Sequence, residues 1–129
     1  MTNEEKARTN RVIAEAMGFD IGYPLTQMNE IFKKDTSVWV NRGVVDGAPM
    51  YRPFNPHKSW DDCWAAVDEI CPEEIYFLSI VRNRKTPTTK YTVHLTIKFL
   101  SFMGFGETPQ AAICAALLKY LDMRIKEPK

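Results

Sequence analysis

From Lys90 to Phe99 the chain alternates polar and apolar residues without a break: KYTVHLTIKF. Tyr91, Val93, Leu95, Ile97 and Phe99 share one side, and Thr92, His94, Thr96 and Lys98 share the other. A period of two over this length excludes a helix and predicts an antiparallel strand buried on one face only. The strand is read as Lys90–Met103, although the alternation breaks over its last four residues, Leu100–Met103. Ahead of it, Ile75–Asn83 (IYFLSIVRN) is rich in β-branched and aromatic residues. Ile75, Phe77 and Val81 make one side apolar, and Tyr76, Leu78 and Ile80 the other, so this strand is predicted to be covered on both faces. Arg84–Thr89 (RKTPTT) is the turn between them, where Pro87 does no harm. The rest of the chain has to cover a long hairpin.

Three helices are predicted to do so. The first runs from Asn3 to about Met17, capped by Thr2 or Asn3, with Val12, Ile13, Ala16 and Met17 as its thin apolar stripe and Gly18 as its stop. The second follows Ser59, which with Asp62 forms a capping pair, and ends at Pro72. It lays Trp60, Trp64, Val67 and Cys71 on one face. Trp60 and Trp64 are therefore expected to be buried against Phe77, Val93, Leu95 and Ile97. The third starts at Thr108-Pro109, a cap followed by a proline at the first helical position, and buries Ala112, Ile113, Ala116, Leu117, Tyr120 and Leu121. Gly104–Glu107 is read as the loop before it. Residues 19–56 are broken by Gly and Pro. Ser37–Asn41 reads as a short strand, Arg42–Gly47 as turns, Met50–Phe54 as a second extended piece, and Gln27–Lys34 as one or two helical turns.

The 129 residues suit a single domain spanning 1–129. Seventeen Lys and Arg against sixteen Asp and Glu leave a net charge of +1, which excludes a strongly basic nucleic-acid coat. No apolar run is long enough to span a membrane, so no membrane partner is expected. Cys63, Cys71 and Cys114 are odd in number and lack CxxC spacing. They read as buried, reduced thiols in a protein kept in a reducing cytoplasm.

Four stretches carry a resemblance. They are AMGF (Ala16–Phe19), Trp39 ahead of a Gly-containing turn, YRPFNPHKSWDDCWAAVDEI (Tyr51–Ile70) and ETPQAAICAALLKYL (Glu107–Leu121). In this order and spacing the chain resembles the phage ABA sandwich domain family, with a looser similarity in layout to NinX-like phage proteins. The resemblance implies an α+β chain built as an α/β/α sandwich, with helices packed on an antiparallel sheet. It also implies an accessory protein of a bacteriophage or prophage, working in the cytoplasm of a bacterial host. No shared catalytic motif defines that family, so no functional residue is carried over from it.

The residues themselves offer no catalytic site and no metal site. There is no phosphate loop, no GxGxxG, no HExxH and no GxSxG, and no cofactor is implied. Gly104-Phe105-Gly106 precedes a helix but lacks the Lys-Ser/Thr of a phosphate loop. His57 and Asp61 stand four apart, which suits a cap or surface pair better than a lone metal pair. Cys63 and Cys71 lie in an acidic helix, which raises a thiol pKa and works against a nucleophilic role.

Charge is segregated. Between Ile75 and Gly106 there is no acid, while Arg82, Arg84, Lys85, Lys90 and Lys98 are basic. Between Lys58 and Glu74, Asp61, Asp62, Asp68, Glu69, Glu73 and Glu74 face Lys58 alone. The ordinary readings are basic strands lying beside an acidic helix, or lysines that protect a strand edge. The functional reading is a basic hairpin, Arg82, Arg84, Lys85 and Lys90, offered to phosphates or an acidic partner. Thr92, His94, Thr96 and Lys98 either face solvent as an open sheet surface or, if covered, line a groove for a small anionic ligand. The leading expectation is a non-enzymatic protein that binds an unidentified protein or small anion. The alternative is a sequence-independent nucleic-acid binder using the basic hairpin, and a small enzyme comes third. A homodimer is also expected, because Lys90–Met103 outruns its partner strand and leaves Leu100 and Phe102 on the polar face. The monomer alternative covers that end with residues 37–54.

Overall fold

The computed structural model describes residues 3–22, 37–71, 76–84, 90–97 and 99–126. Among these the order is α1 (Asn3–Ala16), β1 (Val38–Val45), β2 (Ala48–Phe54), α2 (Trp60–Ile70), β3 (Tyr76–Arg82), β4 (Tyr91–Ile97), β5 (Leu100–Gly106) and α3 (Pro109–Lys126). Three helices and two antiparallel sheets, β1-β2 and β3-β4-β5, make an α+β fold, as the sequence predicts. The chain divides into two compact units, Met1–Asn55 and Pro56–Lys129. The expected cap at Thr2 or Asn3, the turns at Gln27–Lys34, the helix stop at Pro72, and Ile75, Lys85, Pro87 and Lys98 lie outside the described residues or side chains, as does the Phe77 side chain.

In the first unit α1 ends as predicted. Gly18, at φ +87°, lets its own N–H reach Glu15 O and that of Phe19 reach Ala14 O, at 3.0 and 3.1 Å. The buried stripe differs from the expected one. Ala7, Asn10, Ile13 and Ala14 are buried, whereas Val12 is exposed. The sequence reading counted apolar residues only, and the true face includes a polar side chain with its own partner. Asn10 Nδ2 donates to Asn55 Oδ1 at 3.0 Å, and Asn55 Nδ2 donates to Ser37 Oγ at 3.3 Å. A buried amide held this way keeps the hydrogen bonds it would otherwise lose on burial. β1 runs past the expected strand end at Asn41 to Val45, and only Asp46-Gly47 turns. Their φ values, +52° and +78°, and the Val45–Ala48 pairing describe a two-residue hairpin. A bulge between Asn41 and Val44 absorbs Arg42 and Gly43, with Gly43 N–H donating to Asn41 Oδ1 at 2.9 Å.

In the second unit Ser59 caps α2 by accepting from Asp62 N–H at 3.2 Å, and Thr108 caps α3 by accepting from Ala111 N–H at 3.1 Å. The buried face of α3 includes Ala112, Ile113, Cys114, Ala116, Leu117, Tyr120 and Leu121. It lies on β4 and β5. Helix-on-sheet packing therefore holds for α3 but not for α2, whose packing partner is α3. The buried stripe of α2 is Cys63, Ala66, Val67 and Ile70, and Trp60 and Trp64 are each 41% exposed. Small side chains allow two helices to approach closely. The indoles, too bulky for that seam, stack on each other at 5.7 Å beside it.

The strand expected over Lys90–Met103 is two strands. Ile97 pairs with Leu100, so the chain reverses within two positions and returns as β5. The reversal changes the faces. Leu100 and Phe102 pair with Ile97 and Leu95 on the apolar side, and Phe102 meets the Tyr120 ring edge-on at 5.5 Å. They do not stand among Thr92, His94 and Thr96, and the unpaired strand end that motivated a dimer is paired within the chain. Gly104 and Gly106, expected in a loop, belong to β5. A Cβ on Gly104 would strike the backbone of Ala112 and Ala116, and one on Gly106 would lie 2.6 Å from Ala112 N. These two glycines let α3 sit directly on the strand.

Candidate binding face of the three-stranded sheet

α3 occupies the sheet face of Val93, Leu95 and Gly104. The ladder fixes what stands on the other face. Val81, Thr92 and Phe105 form one cross-strand row, Ser79, His94 and Met103 the next, and the β3 position at Phe77, Thr96 and Ser101 the third. The register thus brings Thr92, His94 and Thr96 together down the middle strand, as the alternation predicts. Thr92 is buried at 6% exposure, and His94 and Thr96 are half-buried. Apolar groups flank them at the strand end nearer Thr92, where Val81, Met103 and Phe105 are 47%, 39% and 45% exposed.

The basic segment adjoins the same end. Arg82 pairs with Tyr91, and Asn83 joins the turn to the row. Its backbone N–H donates to Lys90 O and its Nδ2 donates to Thr92 Oγ1, both at 2.6 Å. Arg82, Arg84 and Lys90 are exposed, and none of them is held in an ion pair with a described residue. The same is true of Asp61 and Glu69 on α2. On α1, Arg11 and Glu15 form an exposed ion pair at 3.0 Å.

Ser79, Asn83, Ser101, Met103 and Phe105 escaped the sequence reading as neighbours of this row. Asn83 and Ser79 were legible as strand residues. The β5 residues became neighbours only through the reversal after Ile97, which no Gly or Asn announces.

The thiols lie elsewhere, buried and free. A hydrogen bond with Cys63, then burial, holds the Cys114 thiol well above its ordinary pKa of 9.0. Burial and the neighbouring Asp68 carboxylate push Cys71 up to about 11, against the opposing pull of Arg124. His57 is buried just ahead of α2, and among the described residues no three His, Cys, Asp or Glu side chains gather as metal ligands. No helix of the described residues is long and apolar enough to cross a membrane.

No family model matches the chain, and no curated protein matches its sequence. Among solved structures the fold is similar to a phage protein from Bacillus cereus ATCC 14579, with a TM-score of 0.51, 22% identity and 88% of each chain covered.

Proposed function

We propose that this chain is an accessory protein of a bacteriophage or prophage that acts by binding rather than by catalysis, and that its ligand surface is the β3-β4-β5 face centred on Thr92, His94 and Thr96. The fold likeness to a phage protein and the four family-like stretches of sequence support the first part. The observation that carries the second is the junction at Asn83, which ties Lys90 of the basic segment to Thr92 of the polar row. Hydroxyls and an imidazole give directed hydrogen bonds to an oxyanion, and Arg84 and Lys90 add attraction from a distance. Val81, Met103 and Phe105 offer apolar contact beside them, the usual mixture in a ligand site. Binding rather than turnover is supported by the raised thiol pKa values of Cys71 and Cys114, which keep both protonated at neutral pH. It is also supported by His94, which stands on the sheet face turned away from α3 and its Cys114.

Titration with inorganic pyrophosphate and a mononucleotide, followed by amide NMR, tests the reading. Shifts should gather at Thr92, His94 and Thr96 and weaken in His94→Ala and in Arg84→Ser/Lys90→Ser. No shift with either probe sinks the small-anion reading. The acid-free basic segment, in which Arg82, Arg84 and Lys90 are exposed, favours a second reading, sequence-independent binding of nucleic acid through Arg82, Arg84, Lys85 and Lys90. In that case single- or double-stranded DNA or RNA should be retarded at about 50 mM salt, and each cation removed should lower the salt slope by about one.

A further inference from the structure

The seam between α2 and α3 contains two thiols. Cys63 belongs to the buried stripe of α2, with Ala66, Val67 and Ile70, and Cys114 to the buried face of α3, with Leu117 and Leu121. Both are free and both are 0% exposed. A hydrogen bond joins the two side chains, so their sulfurs already face each other across the packed helices. A disulfide needs this starting point: two side chains on neighbouring backbones, pointing together, that close to a bond of about 2.05 Å. Cys71 stands apart. It ends α2 eight residues after Cys63, about 12 Å further along the axis at about 1.5 Å per residue. Its charged neighbours there are Asp68 and Arg124, and Arg124 lies ten residues, about 15 Å, beyond Cys114 on α3. Cys71 and Cys114 therefore occupy different levels of the seam.

We propose that Cys63 and Cys114 form a disulfide when the chain meets hydrogen peroxide, stapling α2 to α3, and that Cys71 stays a thiol. One thiolate of the pair attacks the O–O bond and becomes a sulfenic acid; the displaced hydroxide and the thiol proton leave as water. The sulfur of the second thiol then attacks the sulfenic sulfur, and its proton leaves with the sulfenic oxygen as a second water. Two thiols and one peroxide thus become one disulfide and two waters, the sulfurs giving up two electrons and the peroxide taking them. Burial sets the pace. Neither sulfur is open to solvent, and the mutual hydrogen bond and burial keep the Cys114 thiol protonated, so reaction waits on local opening of the seam. The reaction is slow and stoichiometric. The bond encloses residues 64–113, which contain β3, β4 and β5, and so constrains the unit that holds the candidate binding face.

The test treats the full chain with excess hydrogen peroxide overnight, then denatures it, labels remaining thiols with N-ethylmaleimide and digests it without reduction. Trypsin cuts after Lys58, Arg82, Lys98 and Lys119, so the bond should appear as residues 59–82 joined to residues 99–119, with the maleimide on Cys71. Dithiothreitol should separate the two peptides. The crosslinked chain should melt about 5 °C or more above the reduced one, and reduction should remove the gain. Both readings use the wild-type chain, so neither depends on a variant that folds. Cys63→Ala and Cys114→Ala should show neither the joined peptides nor the gain. Three maleimide-labelled thiols, a bond or a sulfinic acid that takes Cys71 ahead of the buried pair, or a bond that lowers the melting temperature would each overturn the proposal.

Discussion

At single positions, exposure and close approach decide what a side chain contributes. Trp60 and Trp64 look like core residues by their i, i+4 spacing, yet each is 41% exposed. Truncating a buried Trp to alanine costs about 3–5 kcal/mol. For half-exposed, stacked indoles the expected loss is about 1–2 kcal/mol each, part transfer and part ring contact. Urea unfolding of Trp60→Ala and Trp64→Ala checks this, and a loss in the buried range contradicts the packing of α2. Gly104 is the opposite case, a residue with no side chain whose replacement matters more. Its missing Cβ is the space in which the Ala112 and Ala116 backbone sits. Helix backbone cannot rotate away as a long side chain can, so Gly104→Ala should cost about 1–3 kcal/mol or more by the same measurement. Cys71 supplies a test in pH. Its thiol is raised from 9.0 to about 11 in the folded chain, so between those values the unfolded chain gives up its proton first. The stability it contributes is complete below pH 9.0 and declines as pH rises toward 11. The stability difference between wild type and Cys71→Ala should shrink across that window, and a difference constant with pH would contradict the assignment.

At the level of elements, the sequence was clearest where local chemistry sets a boundary. Ser59, Thr108-Pro109 and Gly18 mark helix ends by satisfying or terminating backbone groups, and each does so in the structure. Ser59→Ala and Thr108→Ala should each lose about 1 kcal/mol, the usual worth of a cap. Thermal denaturation reads it, and no change at either site would contradict the cap geometry. Asp46-Gly47 carried an equally local signal, a two-residue hairpin, but Gly43 close by spread the apparent turn over Arg42–Gly47. Only pairing with β2 shows that Gly43 belongs to a bulge. The misread strand at Lys90–Met103 has a different cause. Alternation reports which face a residue takes, not whether the chain has reversed. A two-residue reversal shifts the alternation by one position, so that Leu100 and Phe102, out of phase with the residues before them, return to the side of Ile97 and Leu95. The polar row of the candidate site was legible because it lies within one strand. Its flanking β5 residues were not, since they depend on that reversal. The buried face of α1 was hidden for a third reason: Asn10 is fully buried only because Asn55 and Ser37, far along the chain, complete its hydrogen bonding.

Across the whole molecule the two compact units differ in what they can sustain. The second unit, residues 56–129, contains a three-stranded sheet, a capped helix lying on it and a second helix packed on the first. Its buried apolar residues include Cys63, Ala66, Val67, Ile70, Val93, Leu95, Ile97, Ile113, Leu117 and Leu121, drawn from α2, β4 and α3. The first unit, residues 1–55, has one described helix and a two-stranded hairpin fastened by the Asn10–Asn55–Ser37 hydrogen bonds. Three strands with an apolar face and a covering helix meet the requirement for an independent sheet, and a single hairpin does not. Small size penalises both pieces, because a short chain buries a smaller fraction of its surface. Residues 56–129 expressed alone should therefore unfold cooperatively in urea, with near-UV dichroism from the stacked Trp60–Trp64 pair, while residues 1–55 alone should show no cooperative transition. The opposite result, a second unit that melts without cooperativity, would mean that burial of Val93, Leu95 and Leu117 depends on the first fifty-five residues, and that the sheet carrying the candidate site is not a self-sufficient platform.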